Sequence, residues 1–211
     1  KRYKAFNYRY PRENTITIRD ALYERLNDSL TYNAGCMIED TDTGDVNEAM
    51  DLVSDSDIVI IVVGDSFEYL GEFRSTGTLE LMGTQAELID RVAETGKTFI
   101  IDIISSKPLI LPPSADKAAA IIAQFNPGML GGEAFAMVLY GDYNPRGRLT
   151  VSIPYHVGQM PSYYQRPRGE HGNGYKDLPR EIAKYPFGFG LLYTEIKYED
   201  IRPSPRQRNE T

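Results

Sequence analysis

Residues 65–78 carry the densest group of side chains fitted for chemistry. Asp65, Glu68 and Glu72 are carboxylates, Arg74 is a fixed cation, and Phe67, Tyr69 and Phe73 are spaced among them. A carboxyl that protonates a leaving oxygen must hold its proton near the working pH, and aromatic neighbours raise its pKa by excluding water. Carboxylates, a cation and aromatic faces on one loop are the equipment for cleaving a sugar acetal. The same composition also describes an acidic loop that is merely solvated. Residue types alone leave both readings open.

The elements around this loop must position it. The run Ile58-Val59-Ile60-Ile61-Val62-Val63-Gly64 predicts a strand buried on both faces, because β-branched residues without polar alternation suit a parallel sheet covered by helices. After the loop, Leu88, Ile89 and Val92 mark the buried stripe of a helix over 84–94, with Gly96 as its terminator. Residues 98–104 predict a second buried strand and 121–123 a third, with a short helix closing at 118–120. Pro127-Gly128 then turns the chain into a helix over 131–140. Upstream, Ile18, Leu22 and Leu26 recur at helical spacing, with Asn14 or Thr15 as candidate starts, and Val46, Ala49, Met50 and Val53 mark another helix face. Shorter strand signals lie at 29–32, 149–153 and 193–198, and residues 40–45 form an acidic turn.

This alternation predicts an α/β fold, a three-layer sandwich with an open, mostly parallel sheet, followed by an irregular C-terminal segment. The expected division is an α/β domain over 1–184 and a segment over 185–211 leading toward a further domain. Ligands in such sheets gather at the carboxyl ends of strands, so the loops after Gly64, Ile104 and Ala123 matter most.

Composition narrows the classes. The 211 residues carry a formal net charge of −7, which opposes binding to nucleic-acid phosphates. The weak basic cluster over 202–208 reads as a solvated tail. The longest apolar run, Ile58 to Val63, is far too short to span a bilayer. The 15 tyrosines suit sugar faces and ordinary packing equally, and Cys36, the single cysteine, reads as a small buried hydrophobe. His156 and His171 lack partners at metal-ligand spacing, so no metal and no cofactor are expected. Gly128-Met129-Leu130-Gly131-Gly132 lacks the lysine and spacing of a phosphate loop and reads as a tight turn into a packed helix. Ser105-Ser106 has no nucleophile-elbow pattern.

The order of several motifs resembles glycoside hydrolase family 3. They are Tyr32-Asn33-Ala34-Gly35-Cys36, Gly64-Asp65, Tyr69-Leu70-Gly71-Glu72-Phe73-Arg74 and Leu79 through Ile89. Thr95-Gly96-Lys97, Ser105-Ser106-Lys107-Pro108-Leu109 and Pro127 through Gly132 follow. Val138 through Leu149, Gly158-Gln159-Met160-Pro161 and Tyr185 through Thr194 complete the series. The resemblance covers roughly residues 15–200 and identifies the chain with the C-terminal α/β sandwich domain of that family.

The resemblance implies a retaining, β-glucosidase-like enzyme acting on terminal β-linked sugars of a β-glucoside or oligosaccharide. A TIM-like barrel, N-terminal to this domain, would supply an Asp nucleophile, and Glu72 would be the acid/base. Retention of configuration needs the two carboxyls about 5 Å apart, so two domains must meet at the scissile bond. Phe67, Tyr69 and Phe73 would wall the subsite and Arg74 would orient the loop, with Glu68 as the alternative acid. Further expectations are a first strand before Lys1, an inactive chain when alone, a secreted or periplasmic location, and compatibility with a homo-oligomer. Lys107 and Ser106 stand where the family usually has Arg and Gly, Asp65 where Glu is common, and Phe125-Asn126 where a Trp often precedes Pro-Gly. A non-catalytic carbohydrate-binding or structural domain is the rival class, and a nucleotide-binding doubly wound domain a third.

Overall fold

The computed structural model describes residues 14–38, 44–164, 175–179, 183–197 and 199–200. Helix α1 (Ile18–Leu26) starts where side chains can serve the free backbone donors of its first turn. The Thr17 hydroxyl accepts from the Asp20 N–H at 3.1 Å, and the Asp20 carboxylate accepts from the Thr17 N–H at 3.1 Å. This reciprocal box makes Thr17 the cap, in place of the Asn14 or Thr15 start expected from sequence.

Helix α2 (Gly44–Asp55) leads into strand β1 (Ile58–Gly64), then helix α3 (Gln85–Glu94), strand β2 (Thr98–Ile104), strand β3 (Ala120–Ala123) and helix α4 (Gly131–Leu139). The three strands are parallel in the order β1-β2-β3, with Ile58 beside Thr98, Gly64 beside Ile104 and Ile103 beside Ala123. Parallel strands require crossovers, and α3 provides the first. The chain therefore folds as an α/β sandwich built on a small open parallel sheet.

One sheet face carries the core. Ile61, Val63, Phe99, Ile101 and Ile103 meet Val46, Ala49 and Val53 of α2 and Leu88, Ile89 and Val92 of α3. Phe99, Ile101, Ile89 and Val92 are fully buried. Burying each such side chain contributes about 1.5–3 kcal/mol of hydrophobic free energy. The predicted stripes of α2 and α3 are thus the ones that pack.

Several sequence expectations differ from what is found. Strand β1 is buried on one face only: Ile58 and Val62 are 59% and 47% exposed, because α2 and α3 cover the alternate face. Residues 29–32 form no strand. Asn27–Ser29 is a single 3-10 turn, and the extended stretch beyond it has no ladder partner among the described residues. There the Arg19 guanidinium lies over the Tyr32 ring, 4.6 Å from its centroid. Residues 149–153 contribute one antiparallel bridge, Ile153 to Tyr185, rather than a strand. The 193–198 signal yields no strand over 193–197, and Tyr198 lies outside the described residues. The short helix placed at 118–120 is a 3-10 turn, Pro113–Lys117, that ends before β3 begins.

The glycines before α4 have a packing role. Gly132 donates its N–H to the Ile16 carbonyl at 3.2 Å, and a Cβ there would lie 2.2 Å from the Thr17 backbone. Only glycine lets the starts of α1 and α4 approach so closely. The segment after residue 183 returns to the domain, with the Leu149 N–H donating to the Phe189 carbonyl at 2.8 Å and Lys184 Nζ 2.5 Å from Asp116.

Candidate active site

Parallel pairing puts the carboxyl ends of all three strands on one rim, and the loops after Gly64, Ile104 and Ala123 meet there. Gly64 ends β1 so close to β2 that a Cβ would lie 1.8 Å from the Ile104 carbonyl oxygen. The open edge of β1 is closed at this point by a side chain. Gln85 Oε1 accepts from the Gly64 N–H at 2.8 Å, and its Nε2 donates to the Gly64 carbonyl at 3.0 Å. One buried amide thus imitates a strand neighbour and ties the start of α3 to the end of β1. Sequence reading missed this role of Gln85. The available signal was a glutamine at the start of an apolar helix stripe, in the residue expected to point inward.

Asp65 follows at once, with a fully buried side chain. Its Oδ2 accepts from the Ser105 hydroxyl at 3.0 Å and faces Lys107 Nζ at 3.6 Å. Its Oδ1 has no hydrogen-bond partner among the described residues. The Lys107 backbone N–H donates to Ser105 Oγ at 3.2 Å, so the loops after β1 and β2 are joined by charge and by hydroxyl. A buried carboxylate deprived of its cation typically costs a fold about 3–5 kcal/mol. The third loop is held as well: the Ser105 N–H donates to the Phe125 carbonyl at 3.2 Å, and Asn126 Nδ2 to Ser106 Oγ at 2.5 Å. Phe125 sits at φ 55°, a left-handed backbone conformation that bulky residues seldom adopt.

Beyond this root the loop extends to an exposed tip. The Tyr69 N–H donates to the Ser66 carbonyl and the Arg74 N–H to the Gly71 carbonyl, each at 3.1 Å, making two successive turns. Glu72 and Phe73 are the central residues of the second turn, and Phe73 lies at φ 66°. Such strain tends to collect where a site demands a particular presentation of side chains. Arg74 Nη1 is 2.9 Å from Glu68 Oε1 and donates to the Phe67 carbonyl at 2.7 Å. Glu68 is therefore engaged, whereas Glu72 is exposed and makes no hydrogen bond or ion pair among the described residues. Phe67 and Phe73 are 84% and 90% exposed, and Tyr69 is half-buried. The structure brings all six candidate residues into one loop, with no apolar enclosure around the exposed Glu72 among the described residues.

Asp102, in the middle of β2, was not singled out from sequence because it interrupts an otherwise apolar run. It is fully buried, and burial pushes its carboxyl up to about 7 against the opposing hydrogen bond from Gln124 Nε2 at 2.8 Å. Cys36 packs against the core, and burial pushes its thiol up. A thiol so placed is a poor nucleophile. His156 caps the 3-10 turn Val157–Gln159, its Nδ1 accepting from the Gly158 N–H at 3.0 Å. His171 lies outside the described residues. Among the described residues, no group of three or more His, Cys, Asp or Glu could hold a metal ion. No helix among them is long and apolar enough to cross a membrane.

The sequence profile of the glycosyl hydrolase family 3 C-terminal domain matches residues 4–193. The chain belongs to glycoside hydrolase family 3. A family 3 chain has relatives among named glycosidases. A β-xylosidase of Formosa agariphila is 35% identical over 187 residues, covering 87% of this chain and 26% of the relative. A periplasmic β-glucosidase of Salmonella typhimurium is 36% identical over 165 residues, 74% of this chain and 22% of the relative. Among solved structures, a Listeria innocua β-glucosidase in complex with isofagomine matches with a TM-score of 0.75 at 29% identity. That match covers 87% of this chain and 27% of the other. This family 3 chain spans about a quarter of the length of the proteins it matches.

Proposed function

We propose that this chain supplies the general acid/base, Glu72, to a retaining β-glycosidase of β-glucosidase type. The Asp nucleophile comes from a barrel domain outside these residues. The observation that carries the reading is the contrast within one loop: Glu68 is committed to Arg74, while Glu72 stands at the corner of a turn with no partner among the described residues. A proton donor to an incoming sugar must be free of competing partners and rigidly hung. Glu72 meets the first condition, and the buried root of its loop serves the second.

In the first step the nucleophile attacks the anomeric carbon while Glu72 protonates the departing glycosidic oxygen. In the second, the Glu72 carboxylate takes a proton from water as that water attacks the glycosyl-enzyme. Phe67, Tyr69 and Phe73 would line the subsite once the partner domain encloses it, and Arg74 would hold the loop's shape through Glu68 and the Phe67 carbonyl. Alone, the chain is expected not to hydrolyse glycosides, because on this reading the nucleophile belongs to the barrel domain. The proposal includes a secreted or periplasmic location, as the name of the Salmonella relative suggests.

The test is turnover of a β-glucoside with a poor leaving group by the enzyme that includes the nucleophile-bearing domain. Glu72→Ala is expected to lower kcat/KM by about 10²–10⁴-fold. Activity retained within about threefold would sink the assignment of Glu72 and leave Glu68 as the acid or a non-catalytic, carbohydrate-binding role for the domain.

A further inference from the structure

We propose that Lys107 is a positioning residue for the reaction, acting through Thr76 on the loop that presents Glu72. This inference rests on the acid/base reading of Glu72 given above. Lys107 belongs to the loop after β2, whereas Glu72 belongs to the loop after β1. Its ammonium group faces Asp65 Oδ2 at 3.6 Å and donates to Thr76 Oγ1 at 2.5 Å. Thr76, having accepted that bond, donates its own hydroxyl proton to the Thr78 carbonyl at 2.8 Å. The chain of contacts thus runs from a buried carboxylate, through a cation, into the backbone of the loop.

The two ends of the loop are fixed independently. The Asp65 N–H donates to the Ile104 carbonyl at 3.1 Å, and the Ile110 N–H to the Leu79 carbonyl at 2.8 Å, beside a parallel bridge between Glu80 and Ile110. Between these ends, the Lys107–Thr76 contact is the one hydrogen bond among the described residues that ties 66–78 to another loop; the remaining bonds of 66–78 stay within it or reach only Glu80, whose N–H donates to Thr78 Oγ1 at 3.1 Å. An extended backbone reaches about 3.3 Å per residue, so an untethered tip can carry its carboxyl well away from a reacting oxygen. A general acid needs that oxygen within about 2.6–3.2 Å, and a misplacement of about 1 Å costs on the order of 100-fold. Lys107 is suited to the task because an ammonium offers three donors to two partners at once. Its side chain is 19% exposed, which keeps the contact from being screened away.

The experiment uses two substrates in the enzyme that includes the nucleophile-bearing domain. One is a 2,4-dinitrophenyl β-glucoside, whose leaving group departs without protonation. The other is an alkyl β-glucoside, whose leaving group needs the acid. Thr76→Val and Lys107→Met are expected to lower kcat/KM for the alkyl glucoside by about 10–100-fold and to leave the dinitrophenyl glucoside within about threefold. Thr76→Val leaves the buried Asp65–Lys107 pair in place, so it decides the matter if Lys107→Met does not fold. Glu72→Gln, run alongside, is expected to show the same split with a larger loss. Equal losses on both substrates, or no loss on either, while Glu72→Gln shows the split, would overturn the role of Lys107 alone. Absence of the split in Glu72→Gln would overturn the acid/base reading and this inference with it.

Discussion

The root and the tip of the 65–78 loop are built on opposite terms. At the root, Asp65 is buried and held by Ser105 and Lys107, and Gly64 is clasped by Gln85 against β2. At the tip, Glu72 is exposed and unengaged among the described residues, and the Phe67 and Phe73 rings are 84% and 90% exposed. The root has many constraints and no accessible chemistry. The tip has accessible chemistry and few constraints. The difference fits the role proposed for Glu72: buried polar contacts fix the loop beneath the rim, and above it stands a carboxyl with no partner among the described residues.

The root can be broken most severely at Gly64. Gly64→Ala would drive a Cβ to 1.8 Å from the Ile104 carbonyl, a backbone atom that cannot swing aside. A loss of more than about 3 kcal/mol of stability is expected, read as a lowered denaturant midpoint. An unchanged midpoint would mean that the strand ends are looser than described.

Asp102 is a second buried carboxylate, and among the described residues its one hydrogen-bond partner is the Gln124 amide; burial raises its pKa from 3.8 to about 7. The sign follows directly. At low pH both folded and unfolded states hold this proton and the group is neutral toward stability. As pH rises past about 4 the unfolded chain ionises first, so stability falls until about pH 7 and the loss is then complete. Asp102→Asn keeps an acceptor for Gln124 and removes the charge. It should raise stability near pH 8 by about 2–4 kcal/mol and flatten the slope between about pH 5 and 7, measured by urea unfolding. A variant that keeps the wild-type slope would assign it to another group.

The smallest effect is expected at the tip's own ion pair. Glu68→Gln removes the partner of Arg74 from an exposed position, and such pairs contribute about 0.2–1 kcal/mol. Stability should stay within about 1 kcal/mol, and turnover of the poor-leaving-group glucoside should fall by less than about tenfold. A loss matching that of Glu72→Ala would transfer the acid role to Glu68 and erase the contrast drawn between the two.

Much of the scaffold was legible in the sequence, since helical stripes are repeated locally. Val46, Ala49 and Val53, and then Leu88, Ile89 and Val92, pack as their spacing predicts. The cap of α1 was also written locally, as Thr17 with Asp20 three residues on, yet Asn14 and Thr15 drew the reading because they open the segment. The strand signals at 29–32 and 149–153 misled for a physical reason. A strand is a property of a pair, and a short extended run becomes one only where a neighbour offers a ladder. The exposed face of β1 was equally out of reach, because an apolar run states what could be buried and not what lies against it.

The site divides along the same line. From residue types and periodicity, the sequence determined an alternating α/β fold and placed Asp65, Glu68, Glu72 and Arg74 on one strand-end loop, while the resemblance to family 3 rested on motifs in order along the chain. Those are local facts, carried by periodicity and by neighbours along the chain. Only the tertiary structure decided that Glu68 is taken by Arg74 while Glu72 has no partner among the described residues, that Gln85 closes the edge of β1 at Gly64, and that Lys107 reaches across from another loop to Asp65 and Thr76. Each of these depends on the distances between side chains once the backbone has folded, and the last two join residues far apart in the chain. Electrostatics and hydrogen bonding act at a few ångströms, a separation that spacing along a sequence does not encode.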